Sequence, residues 1–570
     1  MVSSPIERKI CMYKKLLFMN LALFGILCCS CSCHIDTNNN TPKVKGAALA
    51  AKSGCRLSGV LSSNMVLQRE KELPIWGFGA DSDDVIYVSF MGENCSVTPK
   101  EDGTWIAVLS PKPISREEQT LTVSTQKYGV VEELTGILVG DVWLVGGQSN
   151  STLPMKTTIE YNPEFQEQVQ ESDLIRIYYQ NETDPVSKPK TMESPQEDVI
   201  GNYLWKKASW RYVQKFSALG YHFAKEVSNY TDIPIGVVMI GRGGAALCQL
   251  MPTELAESLQ AKFPPIKDPA IADMSVPVAG IYNAFIHPFT KMSIKGMIFY
   301  QGESDDYNES DYAKQLVSYV EELRKRFDEN FSFYCVQLSS HGGWADEMWP
   351  DLALVRAAQT KALLSIDNAW LVSSLDIGWR AGDIGEADCA HPYNKKALGE
   401  RIAHIALANE YSASQFNTAY CPMPSQLKWE ENRVLIRFTG SKITLADGTG
   451  DKLIGFAILE GGEYRNTTAK ILDDYTISVD ITKNTESIAY ALFPLAYPEN
   501  SNLYSVDNLP VPTFEFARDE LVPNQAEWKD EINNKTPSNK NLINKLLLGI
   551  IGVLVVLLGA GTALLLFRRK

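Results

Sequence analysis

Beyond its first 33 residues the sequence has no Cys-x-x-Cys pair. The six cysteines there (Cys55, Cys95, Cys248, Cys335, Cys389 and Cys421) are widely scattered, which argues against a zinc site. If the chain reaches an oxidising compartment, Cys55–Cys95 is the one disulfide expected. Cations are also in short supply: 54 Lys and Arg face 68 Asp and Glu, a formal charge of −14. That sign excludes a nucleic-acid binder working through phosphate contacts. A charged fraction of 21% with 10% aromatics excludes a mostly disordered chain. The length, 570 residues, is too great for one compact unit. At roughly 150 residues per domain it predicts about two to four.

The charge deficit is uneven. Residues 34–545 carry a net −20, whereas both ends are basic. Lys14-Lys15 precede an apolar run from Leu16 to Leu27 and a group of small residues and cysteines, the layout of a secretory signal over residues 1–33. Met12 is an alternative start. The run Cys28-Cys29-Ser30-Cys31-Ser32-Cys33 also raises a lipoprotein anchor, against a plain signal with cysteine-rich trim. Leu546–Phe567 holds no charge and ends on Arg568-Arg569-Lys570. As a helix it would reach about 33 Å, enough for a hydrocarbon core of about 30 Å. The terminal bases then stay cytoplasmic, and they disfavour a cleaved lipid-anchor signal. The expectation is an extracytoplasmic protein held by one C-terminal transmembrane helix.

Between these ends the pattern changes twice. Residues 34–54 read as a linker. Residues 55–138 show short strands, among them Asp84–Phe90, Trp105–Leu109 and Leu121–Ser124, and predict a small β domain. From 139 to 415 continuous apolar strands alternate with helices. The strands are placed at Asp141–Gly147, Ile235–Ile240, Gly296–Tyr300, Phe333–Leu338 and Trp370–Leu375, the helices at Phe216–Tyr230, Tyr312–Phe327 and Lys395–Ala408. This predicts an α/β domain with a parallel sheet. Residues 416–518 return to short strands and predict a β-sandwich, and 519–545 form a polar stalk.

In an open parallel sheet ligands bind beyond the carboxyl ends of the strands. The segments there are Gly146-Gly147-Gln148-Ser149-Asn150, Gly241-Arg242-Gly243-Gly244, Gln301-Gly302-Glu303-Ser304 and Asp388-Cys389-Ala390-His391-Pro392. Together they offer a hydroxyl, glycine N–H groups, an amide and an Asp/His pair. Acyl transfer needs a nucleophile, a base, an acid that orients the base, and N–H donors for the oxyanion, so all its parts are available.

These motifs resemble the SGNH hydrolases, and more narrowly the sialate O-acetylesterase-like carbohydrate esterases. Asn64–Arg69, Val139–Trp143, Pro234–Val237, Tyr282-Asn283-Ala284, Leu453–Phe456 and Asn502–Tyr504 agree, so the resemblance spans about residues 55–517. It implies a flavodoxin-like hydrolase domain flanked by β domains, and a Ser-His-Asp enzyme that removes acetyl groups from sugar hydroxyls without metal or organic cofactor. By resemblance Ser149 is the nucleophile and its N–H an oxyanion donor. Gly244, or its neighbour Gly243, gives the second donor and Gln301 the third. His391 is the base. His34 lies at the signal boundary, His222 and His404 lie within helices, and His287 and His341 are weaker loop competitors. Asp388 orients His391, although the nearest branch is expected to place its Asp where this chain has Cys389; Asp383 and Glu386 are fallbacks. Glu303 is either a tie between loops or a substrate contact, and Asn150 is a second candidate contact. The family often has an aromatic residue where this chain has Arg242, and Met where it has Ser151; both are expected near the pocket mouth, with Arg242 a candidate contact for a sugar carboxylate. Asn150-Ser151-Thr152 formally reads as a glycosylation sequon, where a glycan would block the site. The implied partner is an O-acetylated sugar or glycan, sialate first and plant polysaccharide such as acetylated xylan second. A non-catalytic glycan-binding surface protein is the reading from another class. No sequence feature sets the oligomeric state.

Overall fold

The computed structural model describes residues 53–180, 193–201, 203–262, 276–340, 352–378, 391–493, 499–518, 520 and 522. The expected signal, the linker up to residue 52, the stalk from 523 and the apolar run 546–567 lie outside them. Among the described residues no helix is long and apolar enough to cross a membrane.

The centre is a sheet of seven strands: β1 (Gly129–Gly147), β2 (Ser172–Gln180), β3 (Tyr203–Ala208), β4 (Ile235–Met239), β5 (Gly296–Tyr300), β6 (Ser332–Val336) and β7 (Ala369–Val372). Their order is β3-β2-β4-β1-β5-β6-β7. All neighbours are parallel except the edge strand β3, which runs antiparallel to β2. Strands β5 and β6 are buried along their whole length, as strands covered by helices on both faces must be. Leaving out β2 and β3, the strands stand second, first, third, fourth, fifth, the doubly wound order of flavodoxin-like sheets. Helix α1 (Ala218–Tyr230) packs with α4 (Lys395–Glu410), and α2 (Glu309–Arg326) with α3 (Leu352–Ser365). Right-handed crossovers put one pair on each face.

The boundary expected at 138/139 falls inside a single strand. The front of β1 pairs antiparallel with Ser115–Thr125, and its rear pairs parallel with β4 and β5. Burial follows the change of partner: the front of β1 is intermittently exposed, and from Gly136's successor Ile137 onward it is buried without interruption. The N-terminal β unit is thus continuous with the central sheet, alongside a separate three-stranded sheet of Arg56–Leu57, Leu73–Phe78 and Trp105–Leu109.

The C-terminal unit has two four-stranded sheets. One holds Met423–Trp429, Arg433–Thr439, Thr476–Asp480 and Ala469–Asp473; the other Glu463–Asn466, Phe456–Glu460, Ser487–Tyr490 and Phe514–Ala517. They enclose their own core, including Val434, Ile436, Phe456, Ile477, Tyr490 and Phe514. One expectation is corrected: Cys55 and Cys95 are both free thiols. Cys55 is buried beside the three-stranded sheet while Cys95 lies on Glu93–Val97 of the other sheet, and burial pushes the Cys55 thiol up to about 11.

Candidate active site

Four loops meet at the carboxyl edge of the sheet, where β1 and β5 mark the switch in strand order. β1 ends at Gly147, whose φ is +121° and where a Cβ would come within 2.0 Å of the Tyr300 carbonyl oxygen. Only glycine permits that approach. The chain then makes one helical turn, Ser149–Thr152. Gln148 joins this turn to the loop after β5, its Oε1 accepting from the N–H groups of Gly302 (3.3 Å) and Ser304 (3.2 Å).

Ser149 is half-buried. Its Oγ stands 2.7 Å from Nε2 of His391, a residue 242 positions away in sequence. His391 leads into α4, whose N-cap Asn394 accepts from the Ala397 N–H at 3.2 Å. Asp388, with Asp383, Glu386 and Cys389, lies outside the described residues.

Behind Ser149 the loops are tied by buried polar groups. Lys395 is fully buried; its Nζ donates to Asn150 Oδ1 at 2.6 Å and lies 5.1 Å from the centre of the Tyr300 ring. Asn150 Nδ2 donates to Glu303 Oε1 at 2.5 Å. A cation, an amide and a carboxylate thus run in line through the loops before α4, after β1 and after β5. Asn150 and Glu303, both candidate substrate contacts, are buried and bonded to each other, and this bond ties the loop after β1 to the loop after β5. Ser151 is likewise fully buried, its hydroxyl donating to the Gln148 carbonyl at 2.7 Å, and so does not stand at the pocket mouth. Lys395 and Gln148 carry this arrangement and were not among the candidates. Lysine in a helix's first turn opposes the helix dipole, and that was the available signal for Lys395.

The glycine loop after β4 closes over the same turn. Arg242 donates its N–H to the Gly147 carbonyl at 3.1 Å. A Cβ on Gly241 would stand 2.6 Å from Ser151 Oγ, and one on Gly243 would stand 3.8 Å from Ser149 Cβ. Gly243 therefore abuts the serine, while Gly244, with φ +72°, is exposed beside it. Gln301 is fully buried. Its Nε2 donates to the Ala245 carbonyl (3.0 Å) and to Asp305, and its Oε1 accepts from the Tyr312 hydroxyl at 2.9 Å. Both amide hydrogens have acceptors within the loops, so here Gln301 clamps the glycine loop rather than presenting a free donor. Asp305, fully buried, also accepts the Leu247 N–H at 2.9 Å, and burial pushes its carboxyl up to about 7.

The other described histidines are packed elsewhere. His222 is buried on α1, and burial lowers its pKa to about 3. His404 bonds Glu226 at 2.8 Å, and His287 bonds Tyr282 (3.3 Å) and Glu197 (3.2 Å). His34 and His341 lie outside the described residues. The carboxyl edge thus presents a hydroxyl hydrogen-bonded to an imidazole beside backbone N–H groups of a glycine loop. This is the equipment for nucleophilic acyl transfer.

Comparison with known proteins agrees with this chemistry. Residues 139–407 match the family model described as carbohydrate esterase, sialic acid-specific acetylesterase. The chain is 24% identical to a sialate O-acetylesterase of Pongo abelii over 511 residues, covering 83% of this chain and 94% of that protein. It is 26% identical to the Homo sapiens sialate O-acetylesterase over 429 residues, covering 70% and 79%. Among solved structures, a carbohydrate acetylesterase from Xanthomonas citri superposes with a TM-score of 0.68 at 27% identity, covering 81% of this chain and 99% of that one.

Proposed function

We propose that this chain, whose residues 139–407 form a carbohydrate-esterase domain of the sialic acid-specific acetylesterase family, is an SGNH-type hydrolase that removes acetyl groups from sugar hydroxyls, with O-acetylated sialic acid as its leading substrate. The observation that carries the reading is the 2.7 Å contact between Ser149 Oγ and His391 Nε2. Ser149 attacks the acetyl carbonyl while His391 takes its proton. The oxyanion is held by the Ser149 N–H and an N–H of the Gly243-Gly244 pair. Gln301 joins as a third donor only on exchanging one of its present acceptors. His391 then protonates the departing sugar oxygen, leaving acetyl-Ser149. Water, deprotonated by His391, attacks this ester; acetate leaves and Ser149 regains its proton. Asp388 is the residue we assign to orient His391 and stabilise its charged form.

The likeness to a protein described as a carbohydrate acetylesterase, with no sialic acid in that description, supports a second reading in which the substrate is another acetylated carbohydrate; our candidate is a plant polysaccharide such as xylan. We further place the esterase outside the cytoplasm, tethered through residues 546–567 after export by residues 1–33. Acetate release from O-acetylated sialic acid and from acetylated xylan, by wild type and Ser149→Ala, tests the function. The expected result is Ser149-dependent release, faster from the sialic acid. Release from neither substrate would favour a glycan-binding role, and release from xylan alone would favour the second reading.

A further inference from the structure

The half-buried Arg242 differs from Arg356, Arg176 and Arg401 in having no side-chain hydrogen bond or ion pair among the described residues. Arg356 donates to Thr513 Oγ1 (3.2 Å), the Ser339 carbonyl (3.4 Å) and the Phe493 carbonyl. Arg176 donates to the carbonyls of Ser172 and Asp173 and approaches Glu118. Arg401 grips both oxygens of Asp376 at 2.7 and 2.6 Å. The Nη1 of Arg242 is buried and makes no hydrogen bond. Among the described residues no carboxylate pairs with Arg242, and its titratable neighbour is the phenol of Tyr203. Burial with no opposing charge lowers its pKa. A guanidinium with one nitrogen buried and unbonded is costly to keep, which a purely structural role does not explain.

Its position supplies a reason. The Arg242 N–H is fixed to the Gly147 carbonyl, and the next residue, Gly243, abuts Ser149. Tyr203 opens the antiparallel strand β3 at the same edge of the sheet. Arg242 thus leaves the backbone beside Ser149 on the β4 side, with Tyr203 further along the same edge, whereas His391 follows β7 on the other side. In a chain whose residues 34–545 carry a net −20, an anionic ligand needs a local cation to hold it. A planar guanidinium suits a carboxylate, which it binds through two parallel N–H···O bonds.

We propose that Arg242 is a carboxylate-binding subsite beside the nucleophile, which selects O-acetylated sugar acids over neutral acetylated sugars. This rests on the esterase reading above and names the feature of the substrate that the site recognises. In a sialic acid the carboxylate and the glycerol-like side chain that bears acetyl esters sit on the two carbons that flank the ring oxygen, so one sugar can offer its carboxylate to Arg242 and an acetyl ester to Ser149.

The test compares an O-acetylated sialic acid with its methyl ester, the same sugar with its charge masked. The readout is the ratio of kcat/KM for the two. Wild type should prefer the free acid by about 10- to 100-fold, the worth of one charge-assisted pair. Arg242→Gln should bring the ratio close to one, chiefly through KM, and Arg242→Lys should retain part of it. If Arg242→Gln is unstable, the Lys variant and the dependence of the wild-type ratio on ionic strength carry the same test. A wild-type ratio near one, or a ratio that Arg242→Gln leaves unchanged, overturns the subsite while leaving the esterase reading intact. Loss of all Ser149-dependent acetate release would instead remove the reading on which the subsite rests.

Discussion

Two buried polar clusters touch helix α3, and they use polarity in opposite ways. At the seam with the C-terminal sandwich, Arg356, Thr360 and Gln337 bond mainly to main-chain groups. Gln337 donates to the carbonyls of Arg356 (2.9 Å) and Thr513 (3.2 Å), Thr360 donates to the Thr513 carbonyl (2.6 Å), and the Thr513 N–H donates back to Gln337 Oε1 (3.0 Å). At the catalytic edge, reached by Gln359 through the Gln301 carbonyl at 3.0 Å, bonds to main-chain groups are joined by a line of side chain to side chain bonds between loops, Lys395 to Asn150 to Glu303. That edge contains a buried Lys395, Glu303 and Asp305. Main-chain acceptors fix the seam wherever the strands go. The catalytic edge instead makes the position of each loop depend on the others, and so holds the half-buried Ser149–His391 pair in register.

The comparison predicts different failures. Breaking the edge should cost chemistry first. Lys395→Met removes the cation that links the loop before α4 to Asn150, and kcat should fall roughly 100-fold, the cost of about 1 Å of misplacement. Lys395→Arg should recover part of it with KM little changed. A variant that loses only thermal stability would make Lys395 a packing residue. Breaking the seam should cost folding first. Arg356→Met leaves the Phe493 and Ser339 carbonyls short of a donor and should lower unfolding free energy by about 2–4 kcal/mol in urea titrations. The kcat of the folded enzyme should hold, and a parallel fall in kcat would erase the distinction between the clusters.

The smallest effect separates charge from shape at the edge. The Asp305 carboxyl is raised to about 7 when folded, against an ordinary value of 3.8. The native state therefore keeps its proton while the unfolded chain loses it. That contribution to stability is complete below about pH 4 and is lost as pH rises to about 7. Asp305→Asn keeps an acceptor for the Leu247 N–H but does not ionise. Its stability relative to wild type should improve across that interval and stay level above it. A difference independent of pH would mean that Asp305 ionises normally in the folded protein.

Much of this was legible in the sequence, for reasons that differ by element. Gly296–Tyr300 and Leu121–Ser124 fold as strands, as read, because an unbroken apolar run and a strict alternation each have one good solution. Ser149 and His391 were legible through their motifs, and their contact is tertiary. Helix α3 was missed: Leu352–Ser365 is buried on nearly every side between sheet and sandwich, so it shows no polar stripe to mark a helix. The continuity of β1 across the expected 138/139 boundary was missed because one strand changes partners along its length, which no break in the sequence marks. The Lys395–Asn150–Glu303 line was missed because its members lie in three loops, and no local pattern announces a bond over such separations. The expected Cys55–Cys95 disulfide failed for the same reason, since nothing local told which sheet each cysteine joins.

The central claim is that His391 activates Ser149 for acyl transfer. Labelling with a fluorophosphonate, which reacts with activated serines, followed by peptide mass spectrometry tests it most directly. The account predicts one adduct, on the peptide carrying Ser149, abolished in His391→Ala. No adduct on Ser149, or labelling there that survives His391→Ala, would contradict it.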